Sequence, residues 1–203
     1  TSYNNDGSPV GDIDQNADGL IDGANEFDGS DDYINCGSGI FNEHLTLGAW
    51  VKTTSSGSQK AIIATSMASD VYSYRLTMQS GGTVSFNFEN PDGSWHVSGE
   101  SSTVVNDGLW HYVVGTYDGS TICIYVDGVL ENSAADTAGL LETTASTYIG
   151  SDGSRDFDGL IDEARISYTA RSASWIATMY NNTKDSDGFI KYNPVDLGWR
   201  NYK

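Results

Sequence analysis

The sequence predicts an all-β fold, an antiparallel β-sandwich with one short helix near the C-terminus, and three observations carry that expectation. The 203 residues include 23 Gly and 12 Tyr but only three Pro, and few are Leu, Lys or Glu. Such a composition suits short strands joined by tight turns rather than helix bundles. Several segments alternate apolar and polar residues with period two, the mark of a strand with one buried face. Gly-containing turn signals separate them at a spacing of roughly ten residues, as in sandwiches and jelly rolls.

Taken in chain order, the first notable segment is DIDQNADGLIDG at 12–23. Read from Asp14, it puts Asp14, Asn16, Asp18 and Asp22 at positions 1, 3, 5 and 9 of an EF-hand loop, with Gly19 at position 6. Position 12, normally a bidentate Glu, is Asn25, and the flanks lack helical periodicity. Two readings stay open: an ion-binding loop, or an acidic β-turn between two strands.

Alternation is clear at Leu45, Leu47, Ala49 and Val51, at Tyr72, Tyr74, Leu76 and Met78, and at Val84, Phe86 and Phe88. These predict strands, with turns at SGG (80–82), PDG (91–93), NDG (106–108), YDG (117–119) and VDG (126–128), where Gly supplies positive φ. RSASWIATMYNN alone reads as a helix, with Ser172 as N-cap and Trp175, Ile176, Met179 and Tyr180 at helical spacing. Beyond Asn182 regular alternation is lost. The expected division is one domain over residues 1–182 and a tail, an extra strand or linker, over 183–203.

The formal charge of −18, with only ten Lys plus Arg, argues against nucleic acid or an anionic membrane surface as partner, because phosphate contacts need a basic face. Cations are the natural counter-partners, and a carboxylate surplus also serves solubility. No run approaches about 18 apolar residues and no signal-peptide pattern opens the chain, so membrane insertion is not expected and a mature, soluble piece is. Cys36 shares a face with Ile34, whereas Cys123 lies opposite the face of Ile122, Ile124 and Val126. Two separate thiols are expected rather than a bridge.

FDGSDDYINCG, LTLGAWVK, DGLWHYVVGTYDGSTICIYVDGVL, YIGSDG and FDGLIDEARISYTARSASWI, in that order and spacing, resemble the laminin G-like, concanavalin A-like jelly-roll modules of secreted and cell-surface microbial proteins. The resemblance implies two packed antiparallel sheets, one of them concave, and an extracellular location. It also favours the β-turn reading of residues 12–23, since a strand, a Gly-containing turn and a strand usually precede FDGSDDY in such modules.

FDG occurs twice, near opposite ends of the chain, and the first and last strands of jelly rolls are often neighbours. Asp28, Asp31, Asp32 and Asp162 could then converge on a hard divalent cation. The resemblance agrees, implying one structural calcium held between the last strand and residues near the first, with Asp28, Asp32 and Asp162 as the expected ligands. Alternation puts Asp162 on the face of Leu160, Ala164 and Ile166, where a carboxylate needs a partner. The competing reading is that these aspartates bond backbone groups in turns.

Trp50, Trp110 and His111 belong to framework motifs and are expected to pack. Trp95 follows the turn PDGS and is expected on a loop, where an amphipathic ring can stack on a sugar face. Tyr72 is its expected companion in a glycan site, while Tyr74 packs inside. No cluster of two Glu around an Asp suits glycoside cleavage, the three His are scattered, and no Ser sits in a nucleophile elbow. The expected function is a non-catalytic, calcium-stabilised, carbohydrate-binding module. The alternative is a structural or adhesive module that meets protein partners through a sheet edge or the tail.

Overall fold

Alternating side chains give each strand two faces, and two sheets bury their apolar faces by packing them together. The structure, a computed structural model, describes residues 7–40, 42–65, 73–90, 92–142 and 144–184. Its strands are β1 (Ser8–Val10), β2 (Asp14–Asp18), β3 (Gly23–Asp28), β4 (Tyr33–Ser38), β5 (Leu45–Lys52), β6 (Lys60–Thr65) and β7 (Tyr74–Met78). There follow β8 (Val84–Glu89), β9 (Trp95–Glu100), β10 (His111–Tyr117), β11 (Thr121–Val126), β12 (Val129–Ala135), β13 (Ser146–Ile149), β14 (Asp158–Ser167) and the helix α1 (Ala173–Thr183). They form two seven-stranded sheets, ordered β1-β4-β13-β6-β7-β8-β9 and β12-β11-β10-β5-β14-β3-β2. The expected all-β antiparallel sandwich is the fold observed.

The inner faces supply one core. Leu45, Leu47, Ala49 and Val51 of β5 are fully buried, as are Tyr74, Leu76 and Met78 of β7 and Val84, Phe86 and Phe88 of β8. Where β10 crosses β8 the sheets come close: a Cβ on Gly115 would lie 2.5 Å from Cγ of Phe86. Glycine at this position lets the Phe86 ring lie against the β10 backbone. The hydroxyl of Tyr74 donates to the Ile40 carbonyl at 2.9 Å, so this ring is buried without an orphan polar end.

The second sheet is covered on its outer face as well. Ser172 caps α1, accepting from Trp175 N–H at 3.3 Å, and Ile176, Trp175, Met179 and Tyr180 pack on Trp50, Tyr112 and Tyr125. Trp50 stacks on Tyr180 at 5.5 Å, and its Nε1–H donates to Thr183 Oγ1 at 3.0 Å. Strand β5 is therefore buried on both faces, not one as its alternation suggests, because the helix caps the side that would otherwise meet water. Truncating a buried Trp such as Trp50 costs about 3–5 kcal/mol. Trp50 is framework, as expected.

Cys36 and Cys123 are free thiols in different apolar clusters. Among the described residues no helix is long and apolar enough to cross a membrane. The helix runs one residue past 182, and residues 185–203 of the expected tail lie outside the described residues.

Candidate functional site

Two places collect the polar side chains singled out by the sequence: the acidic turn after β3 and the outer face of the first sheet. The acidic turn differs in membership from the expected set. Ligand oxygens of Asp28, Asp31 and Asp32 lie within 4.8 Å of one another. Asp32 is buried; its Oδ1 accepts from Asp12 N–H at 2.8 Å and its Oδ2 from Asp28 N–H at 3.0 Å, tying the β1–β2 connection to the turn. Asp28 Oδ1 accepts from Ser30 N–H at 2.8 Å.

Asp162 does not join them. A register irregularity falls between Asp162 and Arg165, and Glu163 has φ of 50°. This bulge reverses the alternation that put Asp162 on the face of Ala164 and Ile166. Ala164 and Ile166 do pack on the core, but Asp162 pairs in register with Trp50 on the outer face. There its Oδ2 accepts from Leu20 N–H at 2.9 Å and Ile21 N–H at 3.0 Å. Ile161 pairs with Asn25 and Asp158 with Asp28, so Asp162 sits roughly four residues, about 13 Å, along the sheet from Asp28.

Residues 14–18 form a strand. They pair with β3, Asp18 opposite Gly23, and the turn between carries Asp22 at φ of 58°. Among the described residues, the carboxylates close enough to share one ion do not include Asp14, Asp18 or Asp22.

Among the described residues no helix lies over the outer face of the first sheet, yet much of that face is buried. Strand register sets a straight row across five strands: Tyr148 on β13, Ala64 on β6, Arg75 on β7, Asn87 on β8 and Val97 on β9. Beside it run Ala61, Thr77 and Ser85. Ala61, Ala64, Thr77, Ser85 and Asn87 are all at most 4% exposed, covered by neighbouring groups. The recess, about 450 Å³, is lined by residues including Gln59, Arg75, Gln79, Asn87, Trp95 and Glu100.

A hydrogen-bond chain sets the floor. Arg155 Nε donates to Gln59 Oε1 at 3.1 Å, Gln59 Nε2 to Gln79 Oε1 at 2.5 Å, and Gln79 Nε2 to Ser85 Oγ at 2.7 Å. Asn87 Nδ2 reaches the same Ser85 oxygen at 3.1 Å. The amide of Asn87 is thus oriented, and its Oδ1, together with Thr77 Oγ1, has no hydrogen-bond partner among the described residues. A buried polar atom without a partner is costly and calls for an explanation.

Trp95 forms one rim. It opens β9 rather than sitting on a loop: it pairs with Glu89, and next to it Asn90 N–H donates to the Ser94 carbonyl at 3.0 Å. The ring is 39% exposed and the Arg75 guanidinium lies over it, Cζ 4.1 Å from the ring centroid. Behind it His96 stacks on Phe88 at 5.4 Å and pairs with Asp136, which fixes β9. Tyr72, the expected companion of Trp95, lies outside the described residues. Sequence reasoning missed Arg75, Thr77 and Asn87, whose alternating polar positions look like an ordinary solvated strand face.

Comparison with known proteins agrees with this architecture. Residues 28–177 match the laminin G family described as the concanavalin A-like lectin/glucanases superfamily. A comparison with curated proteins finds no match. Among solved structures, domain 4 of AbnA, a GH43 extracellular arabinanase from Geobacillus stearothermophilus in complex with arabinotriose, is similar with a TM-score of 0.70 and 21% identity. The similarity covers 84% of this chain and 82% of that one. The binding domain of botulinum neurotoxin DC in complex with SialylT has a TM-score of 0.69 and 11% identity over 89% of this chain, which spans 47% of that domain. The heptameric SAP-like pentraxin of Limulus polyphemus has a TM-score of 0.62 and 13% identity, covering 76% and 80% of the two chains. At these identities the likeness shows the fold alone. The family match over residues 28–177 is broader evidence: the chain belongs to the concanavalin A-like lectin/glucanases superfamily.

Proposed function

We propose that this protein is a non-catalytic, extracellular carbohydrate-binding module that takes glycan in the recess on the outer face of its first sheet. The observation that carries the reading is the pairing of an oriented, buried acceptor, Asn87 Oδ1, with the rim ring of Trp95 across one floor. Sugars present hydroxyl donors at their edges and apolar C–H faces, which suit an amide oxygen and an indole respectively. Two of the solved relatives were captured with glycans, arabinotriose and SialylT, which supports the ligand class.

The backbone spacing of two carboxylates on this face supports the non-catalytic reading. Glu89 pairs with Trp95 and Glu100 with Ser85, four residues apart on β8, hence about 13 Å along the strand. Glycoside cleavage by paired carboxylates needs separations of about 5–10 Å. In the same reading calcium binds Asp28, Asp31 and Asp32: all three offer hard oxygens, the donor type it prefers, and each Asp32 oxygen keeps a lone pair beyond its N–H bond.

A polysaccharide and glycan array, followed by titration calorimetry, tests the proposal. Trp95→Ala should weaken binding about tenfold, or 1.4 kcal/mol, while leaving the melting midpoint within a degree or two of the parent. Absence of binding across the array, together with self-association or capture of a protein partner, would favour the adhesive alternative. Release of reducing ends from arabinan, β-glucan or alginate would overturn the non-catalytic reading.

A further inference from the structure

The two sheets close on each other at one flank and part at the other. Strands β9 and β12, the edges on one side, pack together, and among the described residues no comparable contact joins β1 or β4 to β2 or β3. Strand β14 pairs with β3 only from Asp158 to Ile161, so its stretch from Ala164 onward runs past the β2–β3 hairpin with that edge open. The bulge at Glu163 turns Ala164 and Ile166 toward the core. Inner-face side chains on this flank are incompletely covered: Cys36 on β4, Ile149 on β13, and Ala164 and Ile166 on β14 pack on the core yet are only half-buried. Between them lies a cavity of about 530 Å³, inside the range of about 300–1,000 Å³ typical of small-molecule sites.

The walls are aliphatic, with the buried Ile34 and Ile63 at the inner end. One inner-face position is polar. Asn25 lies two residues before Phe27, a core residue, so alternation puts both on the inner face of β3. Asn25 lines the cavity, is half-buried, and its amide makes no hydrogen bond among the described residues. An inner-face position has thus exchanged apolar packing for an amide that no described group engages. An amide offers a donor and an acceptor side by side, the complement of a hydroxyl. Charge narrows the ligand further. Arg165 stands at the cavity edge, but the Glu163 carboxylate holds its guanidinium. With a net charge of −18 around it, a carboxylate or phosphate head would meet a neutralised cation and a repulsive field. A neutral hydroxyl head on an aliphatic body meets neither.

We propose that the cavity at the open flank, between β4 and β13 of one sheet and β14 and β3 of the other, is a second binding site, for a neutral amphiphile of the aliphatic-alcohol class. The hydrocarbon lies against Ile34, Ile149 and Ile166, and the hydroxyl exchanges hydrogen bonds with the Asn25 amide. The strained residue Glu163, held at φ of 50°, gains a role: its bulge keeps the small Ala164 inward, and its carboxylate keeps Arg165 from drawing an anion. Backbone strain of this kind collects at binding sites. The site stands independently of the glycan recess, which lies on the other face of the first sheet and shares no lining residue with it.

Titration calorimetry with 1-hexanol, 1-octanol and 1-decanol provides the test, with octanoate and 1-methoxyoctane as head-group controls. Affinity should rise about fourfold per added methylene until the cavity is full, and 1-octanol should bind at least about fivefold more tightly than either control. Asn25→Leu should keep the chain-length gradient and abolish the preference for the alcohol over the ether. Ala164→Phe, which puts a ring into the cavity, should weaken 1-octanol at least about tenfold. Bound 1-decanol should slow alkylation of Cys36 by N-ethylmaleimide and leave Cys123, in the other apolar cluster, unaffected. No heat and no protection of Cys36 up to the solubility limit of 1-decanol would overturn the site. Equal protection of both thiols, with a gradient indifferent to Ala164→Phe, would mean unspecific partition and overturn it too. Octanoate binding more tightly than 1-octanol, and lost in Arg165→Gln, would refute the neutral head. Circular dichroism checks the fold of each variant; should Ala164→Phe unfold, Asn25→Leu and the thiol protection of the parent decide.

Discussion

Oδ2 of Asp162 accepts a hydrogen bond from the backbone N–H of Leu20 at 2.9 Å, joining β14 to the β2–β3 turn across 142 residues of sequence. Ile21 N–H bonds the same oxygen at 3.0 Å, and Asp162 is buried. The carboxylate is a clasp for the turn. Asp162→Ala leaves two donors of this turn without their acceptor, and such orphaned groups cost about 1–3 kcal/mol each. Urea denaturation should show a loss of about 2–4 kcal/mol with Asp162→Ala, in calcium and in chelator alike. A loss under about 0.5 kcal/mol would mean that water takes over both donors.

His111 provides the second prediction. Its Nδ1 meets Asp127 Oδ2 at 2.8 Å and its Nε2 meets Asp107 Oδ1 at 3.2 Å, while Asp127 Oδ1 accepts from Tyr112 N–H. The hydrogen bond to Asp127 raises the His111 pKa above its ordinary value of 6.5, outweighing partial burial, and the charge of Asp127 adds to the effect. A raised folded-state pKa means that the imidazolium stabilises the fold fully below the unfolded value. That contribution fades as pH rises through the folded value. Melting of the parent relative to His111→Gln should thus be highest near pH 6 and decline toward pH 9. A difference that grows with pH would reverse the assignment.

How much of this was readable in the chain follows from what each signal depends on. Strands β5 and β8 show in the alternation of Leu45 to Val51 and Val84 to Phe88, because one-sided burial is a local pattern. The face of Asp162 was misread because the bulge at Glu163 leaves no mark in LIDEARI: a charged residue with φ of 50° looks like any other. The recess was invisible for another reason. Gln59, Arg75 and Asn87 come from three segments, and the register that joins them is set by tertiary packing. Trp95 was readable as a candidate, yet its partner Arg75 lies 20 positions earlier on β7.

Asn87 separates function from stability. Its Oδ1 is buried without a partner among the described residues, so the unliganded fold bears a polar penalty there. Asn87→Leu, with the same branched heavy-atom skeleton and no polar atoms, should leave the melting midpoint unchanged or raise it by a few degrees. Binding to the oligosaccharides that the parent recognises should fall at least tenfold. If Asn87→Leu unfolds the protein, the Nδ2 bond to Ser85 outweighs the orphan oxygen and the residue is structural. Intact binding in a stable variant would remove Asn87 from the site.

Calcium is settled by comparing three groups of carboxylates in one assay. At ten times its dissociation constant an ion that binds only the folded state adds about 1.4 kcal/mol. For a domain of this size that is a rise of about 3–6 °C in melting. The difference between calcium and chelator should vanish in Asp28→Asn and Asp31→Asn, whose oxygens belong to the clustered group. It should persist in Asp162→Asn, whose carboxylate is occupied by Leu20 and Ile21, and in Asp18→Asn, which lies in strand β2. Asparagine keeps a carbonyl oxygen for the local N–H bonds, so each substitution removes charge with little change of shape. Because the charge of −18 lets any divalent cation screen repulsion, magnesium at the same concentration is the control. An equal shift with both ions, insensitive to Asp31→Asn, would assign the stabilisation to screening and leave Asp28, Asp31 and Asp32 as a turn held by backbone bonds alone.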